Sequence, residues 1–252
     1  KGGLHIAAVR TDASTFEHVD PSAVGNEREL VISELAGRAT VLEKADEAGL
    51  ELVDGDAERI LQRVKELEHQ GYQYEAADAS FELLLRRETG QYTQLCELES
   101  WRVIAERRAD GILSTEATVK MVVEGQRVIR TAEGNGPVNA LDAALRDAIS
   151  EVHPHVADIE LVNFKVRILD AEKTTDATTR VLVDASDGER TWGSIGVSTS
   201  LIEASWQALV DSLAYAIQPR AATTPGPDPD PIAIAGAEPP ALPEPTEAAT
   251  TA

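Results

Sequence analysis

The chain has 252 residues, of which 42% are apolar, enough for one large or two small folded domains. Its 44 acidic residues outnumber 23 basic ones, for a formal net charge of −21. That field repels nucleic acid and anionic membrane surfaces, and serves solubility instead. A single cysteine excludes a disulfide within the chain. No apolar run reaches the ~18 residues of a membrane-spanning helix, and no signal peptide is visible, so the cytoplasm is the expected location.

The first 26 residues carry Gly2, Gly3, Pro21 and Gly25 and predict turns. Three helices are expected next. The first runs from Gly37 to a glycine cap at Gly49. The second, Asp56 to Gln70, has Ile60, Leu61, Val64 and Leu67 at helical spacing and stops at Gly71. The third, Ala76 to Glu88, has Phe81, Leu84 and Leu85 apolar and Arg86 and Arg87 near its end, where cations suit the helix dipole.

From Tyr92 the period shifts toward two. Strands are predicted at Leu95 to Glu106, at Thr115 to Val123 and at Arg127 to Ala132, the last two joined by a turn at Gly125-Gln126. In the second of these, Ala117, Val119, Met121 and Val123 share a face. A helix follows from Pro137, a residue well placed at a first helical position, to Ile149. The order then repeats. Strands at Ile159 to Leu169, Thr178 to Ala185 and Thr191 to Val197, with a turn at Asp187-Gly188, lead into a helix from Leu201 to Ile217. The fold class is α+β: a helical stretch over 1–90, a repeated βββα domain over 91–217, and a tail from 218. Nine of the twelve prolines lie from Pro219 onward, so the tail is expected to be disordered. A two-fold repeat of this kind favours pairing with a second copy. Trp101, Trp192 and Trp206 read as core or interface residues, and Cys96 as core filler.

The run Gly134-Asn135-Gly136-Pro137 sits where a strand hands over to a helix. It lacks the Lys and Ser/Thr of a phosphate loop. Its glycines let backbone approach a ligand at a helix N-terminus, which attracts a carboxylate; tight helix-on-sheet packing is the competing reading. His153 and His155 flank Pro154 in a loop with no third ligand nearby, which argues against a metal. Ser198, Ser200 and Ser205 have no base at hand. His18 and Asp20 shape the turn at Pro21.

Seven segments taken in order carry a family resemblance. They are KGGLH (1–5), FEHVDPSAVGN (16–26), SELAGR (33–38), LEHQGYQYEAADASFELLLRR (67–87), AEGNGPVNALDAALRDAI (132–149), LVNFKVRILD (161–170) and IGVSTSLIEASWQALVDSLAY (195–215). Over residues 1–217 the chain resembles the citramalate synthase branch of the 2-isopropylmalate synthase family. The resemblance implies an N-terminal metal-dependent TIM barrel that condenses acetyl-CoA with a 2-oxo acid, pyruvate in this branch, on the way to isoleucine. It also implies two linker subdomains and a C-terminal regulatory domain that binds the end-product amino acid and forms a homodimer.

On this reading the chain, which starts at Lys1, is the C-terminal part of a larger polypeptide and is inactive alone. The divalent metal belongs to the barrel and no cofactor to this chain. The resemblance makes His5 an auxiliary catalytic residue that helps deprotonate the acetyl methyl group. It makes Asn135, Gly136, Val138 and Asn139 one wall of the effector site, for isoleucine or leucine, and Gly196, Val197 and Ser198 another. Phe16 departs from the usual Tyr, and Asn163-Phe164 from the usual Asp-Tyr. Two alternatives are a 2-isopropylmalate synthase parent with leucine as effector, and a standalone branched-chain amino-acid sensor acting on another protein.

Overall fold

Three N-terminal helices lead into the repeat: α1 (Arg38–Glu47), α2 (Asp56–His69) and α3 (Asp78–Glu88). The structure, a computed structural model, describes residues 37–219. His5, Phe16, His18, Asp20, Asn26 and the proline-rich tail beyond Pro219 lie outside the described residues. All three helices end the same way. Gly49, Gly71 and Gly90 take positive φ (66°, 108° and 72°), and the following N–H bonds back to Ala45, Leu67 and Arg86, as glycine permits without a Cβ penalty. The third helix starts two residues later than expected, because a 3₁₀ turn at Tyr74–Ala76 precedes it.

Strands β1 (Glu97–Arg107), β2 (Leu113–Val123) and β3 (Gln126–Gly134) form one antiparallel sheet in the order β1-β2-β3, followed by α4 (Pro137–Ser150). Strands β4 (Glu160–Ile168), β5 (Thr179–Ser186) and β6 (Thr191–Ser198) form a second sheet in the order β4-β5-β6, followed by α5 (Leu201–Ile217). The βββα unit thus occurs twice. Each first strand even carries an irregularity at its start, between Leu98 and Ser100 in β1 and between Leu161 and Asn163 in β4.

One turn differs from expectation. The β2–β3 reversal is at Glu124-Gly125, both with positive φ (45° and 79°), and Gln126 already pairs with Val123. A two-residue hairpin loop needs positive φ at both positions to match the strand twist. Strand β3 also runs two residues further than the sequence suggests, up to Gly134.

Two cores result. In the first, α4 lies over β2 and β3, α5 over β5 and β6, and the helices touch each other. Val119 and Met121 from β2 meet Leu141, Leu145 and Ile149 from α4, with Trp206, Leu209 and Leu213 from α5. In the second, Val41, Ile60, Val64, Phe81 and Leu85 of the N-terminal helices pack against Ile195 and Val197 of β6. Strand β6 is therefore buried on both faces (Trp192 to Val197), with Gly193 and Gly196 admitting close neighbours, one on each side. Burying a side chain such as Leu141 or Ile60 stabilises by about 1.5–3 kcal/mol each, which sets the scale against which single polar contacts count.

Polar groups complete the second core. Arg86, 4% exposed, is satisfied by Glu82 Oε1 at 2.8 Å and by the carbonyls of Ala48 and Pro219. Gln218 exchanges two 2.8 Å hydrogen bonds with the backbone of Thr93, fastening the end of α5 beside the entry to β1.

Candidate functional site

The two repeats end their last strands at equivalent helix starts, and these differ. At α5 the Ser200 hydroxyl accepts from the Glu203 N–H at 3.4 Å, an ordinary N-cap. At α4 the cap position is Gly136, which has no side chain to offer. The first intrahelical bond there is from Ala140 N–H to the Gly136 carbonyl at 3.0 Å. Pro137 has no N–H, so the amides of Val138 and Asn139 face outward from the helix start without an intrahelical acceptor. Gly136 is extended (φ −174°), and a Cβ placed on it would meet nothing within 4 Å. Asn135 and Asn139 are exposed; the Asn139 side chain accepts from the Asn135 N–H at 3.2 Å and closes the turn.

Gly134 differs from its neighbour two residues on. A Cβ there would lie 2.5 Å from the Ala140 nitrogen, so this glycine exists for helix-on-strand packing. The packing reading of the Gly-Asn-Gly motif thus holds for Gly134, while Gly136 faces open space.

The second predicted wall is mostly occupied by the protein itself. A Cβ on Gly196 would lie 1.9 Å from the Ala204 carbonyl oxygen of α5. Val197 is 9% exposed, packs in the N-terminal helical core and gives its N–H to Gln207 Oε1 at 3.0 Å. Ser198 is half-buried, and its hydroxyl accepts from the Ser200 N–H at 3.1 Å. The hydrogen bonds described for the Asn135–Asn139 turn and for Gly196–Ser198 stay within their own repeats.

Asn163 and Phe164 point to opposite faces of β4, as consecutive strand residues must. Asn163 donates to Asp184 Oδ2 at 2.7 Å. Phe164 pairs with Val183, on the side of the sheet where α5 lies, yet is 40% exposed because α5 covers only β5 and β6. Val166 and Ile168 continue this apolar strip. His153 and His155 meet edge to face, with centroids 5.9 Å apart, and His153 Nε2 lies 3.5 Å from Glu124. Among the described residues, no three His, Cys, Asp or Glu side chains come together to hold a metal.

A cleft of about 410 Å³ lies where α2 and α3 meet α5. Apart from Arg87, read from the sequence only as a cation at a helix end, its polar residues carry no expected role. Asp211 accepts from Ser80 Oγ at 2.8 Å and pairs with Arg87 at 2.7 Å, and Tyr72 donates to Gln207 Oε1 at 3.0 Å. Burial pushes the Asp211 carboxyl above the usual carboxylate range, against the pull of Arg87 and Ser80. Glu203, Gln207 and Asp211 recur every four residues on an otherwise apolar helix. That stripe was the available signal, since such a row on a buried helix requires polar partners.

Comparison with known proteins identifies the arrangement. The family described as "LeuA allosteric (dimerisation) domain" matches residues 75–217, over half of the chain. The chain belongs to this family. The LeuA-domain match includes α3 and both βββα units, and residues 1–72 ahead of it match the "Homocitrate synthase post-HMGL domain-like" family. The (R)-citramalate synthase of Streptomyces coelicolor is 49% identical over 221 residues, 86% of this chain and 41% of that protein. Those of Synechocystis sp. (45%, 86% of this chain, 41% of the relative) and Aquifex aeolicus (44%, 85%, 41%) are similar. The chain thus spans about two-fifths of the length of these curated relatives. Its LeuA domain is a regulatory and dimerisation region homologous to theirs. Among the described residues, no helix is long and apolar enough to cross a membrane.

Proposed function

We propose that this chain is the linker and regulatory part of a citramalate synthase-like acyltransferase, and that it binds a branched-chain amino acid while forming a homodimer. The observation that carries the reading is the unequal pair of helix starts. One is capped by Ser200; the other leaves the amides of Val138 and Asn139 uncapped beside the open space at Gly136, in a domain of the allosteric LeuA type. An amino-acid carboxylate fits there. A helix N-terminus supplies only about 0.3–1 kcal/mol to an anion, while burying a Leu- or Ile-sized side chain supplies about 1.5–3 kcal/mol. The turn therefore orients the ligand, and an apolar wall selects it. Val138 supplies part of that wall, and a second copy the rest. The strip Phe164, Val166 and Ile168, left bare beside α5, supports such a pairing.

In this reading Asn135, Gly136, Val138 and Asn139 are the primary contacts. Gly196, Val197 and Ser198 act by holding β6 and α5 in register. His5 is proposed to assist a barrel that binds acetyl-CoA, pyruvate and a divalent metal, and residues 1–252 alone are expected not to condense these substrates. The test is calorimetric titration of this chain with isoleucine, leucine and valine, with mass followed by light scattering. Saturable isoleucine binding to a dimer supports the proposal. Preference for leucine moves the parent to the 2-isopropylmalate synthase type. Absence of binding in a folded dimer refutes the effector site.

A further inference from the structure

Strand β6 ends its sheet, so one edge of its backbone has no strand partner. Such edges are normally protected by charge, twist or a covering segment. Here three side chains take the outward N–H groups one by one. Asp78 Oδ1 accepts from Gly193 N–H at 2.8 Å, Ser80 Oγ accepts from Ile195 N–H at 3.0 Å, and Gln207 Oε1 accepts from Val197 N–H at 3.0 Å. Two of the three come from α3. The fit is close, because a Cβ on Gly193 would lie 2.2 Å from the Ala76 carbonyl oxygen just ahead of α3.

The same side chains reach onward. The Ser80 hydroxyl, having accepted from Ile195, donates to Asp211 of α5, and Asp211 pairs with Arg87 of α3. Gln207 Oε1 receives both Val197 N–H and the Tyr72 hydroxyl, while its Nε2 donates to Glu203. Arg180 of β5 adds a 2.6 Å bond to the Gly71 carbonyl. On the opposite face of β6, Gly196 leaves no slack against Ala204 of α5. From Gly193 to Val197, β6 is thus tied both to α5 and to the N-terminal helices.

We propose that β6 is the element through which effector occupancy is passed to the N-terminal helices, with Ser80 and Gln207 as its positioning residues. This rests on the effector reading above. A ligand that shifts α4 and α5 against their sheets moves β6, because Gly196 is in hard contact with α5. Movement of β6 moves α3 and Tyr72, because the N–H groups of Gly193 and Ile195 are bonded to Asp78 and Ser80 of α3, and that of Val197 to the Gln207 oxygen that also receives the Tyr72 hydroxyl. The three capped amides then report on both ends of the path.

The experiment is residue-resolved amide hydrogen exchange on the full chain, with and without saturating isoleucine, alongside calorimetry on the same samples. Without ligand, Ser80→Ala should speed exchange at Ile195 by about five-fold or more, the scale of one lost hydrogen bond, and affect Gly193 less. Equal exchange at Ile195 in both proteins overturns the edge cap. With isoleucine, exchange at Gly193, Ile195 and Val197 and across residues 72–88 should change together. Tyr72→Phe, which removes one hydroxyl, and Ser80→Ala should keep calorimetric binding and lose the response at 72–88. Binding with unchanged exchange at β6, or a response at 72–88 that survives in the double variant, overturns the inference and leaves the effector site standing. Absence of calorimetric binding refutes the effector site and the inference with it.

Discussion

Gly196→Ala is the sharpest probe of the packing argument. The added Cβ would sit 1.9 Å from the Ala204 carbonyl oxygen and 2.9 Å from Gln207 Cβ. Carbon and oxygen tolerate about 3.3 Å even in favourable C–H···O contacts, so strand and helix must separate by roughly 1.4 Å. A backbone carbonyl inside a helix cannot rotate aside. Helix α5 buries Ala204, Ala208, Leu209 and Leu213, so the shift loosens well-packed contacts. Overpacking of this kind costs about 1–3 kcal/mol or more. The entropy lost from the unfolded chain returns about 0.4–1 kcal/mol. Mid-range values leave a net cost of about 1.3 kcal/mol, which for a domain of this size is a fall in Tm of about 3–5 °C, at 2–4 °C per kcal/mol. The control is Gly136→Ala, where a Cβ meets nothing and the backbone is already extended. It should stay within about 0.5 kcal/mol of the parent or gain slightly. Urea and thermal unfolding of the three proteins measure this. A Gly196→Ala protein melting with its parent, or a Gly136→Ala protein falling as far, would refute the assignment of the two glycines.

Gly136→Leu should leave the urea midpoint nearly unchanged and abolish isoleucine binding in calorimetry, since the side chain would fill the space beside the Val138 and Asn139 amides. Burial raises the Asp211 carboxyl above its unfolded value, so the folded state takes up its proton first. Its contribution to stability therefore grows as pH falls through the folded pKa and levels off below the unfolded value of about 4. The stability difference between wild type and Asp211→Asn should shift toward wild type over that window; a constant difference, or one of opposite slope, contradicts this. Burial pushes the Cys96 thiol up to about 11, so a thiol reagent at pH 8 should label it slowly in folded protein and rapidly in urea. Fast labelling of folded protein would show that Cys96 is not core filler.

Periodicity made the elements readable. The alternation from Thr115 to Val123 and the 3.6-residue spacing in α2 each follow from one local constraint, that a strand or helix in this fold turns an apolar face inward. Turn chemistry was readable to within a residue. The Glu124-Gly125 reversal was displaced because hairpin register depends on how β2 and β3 pair, which no local window contains.

Sequence alone determined the βββα order, its repetition and the family, because ordered motifs and hydrophobic period survive without knowledge of contacts. Tertiary structure decided what each similar-looking residue is for. Gly134, Gly136 and Gly196 all stand in glycine-bearing junction motifs, yet two abut helix backbone and one opens onto free space. Ser80 and Asp211 lie 131 residues apart in the chain and 2.8 Å apart in the fold. Which face of β6 would meet the N-terminal helices was likewise set only by packing, since each face carries large apolar side chains, Trp192 on one and Ile195 and Val197 on the other, and only a third layer makes use of the second.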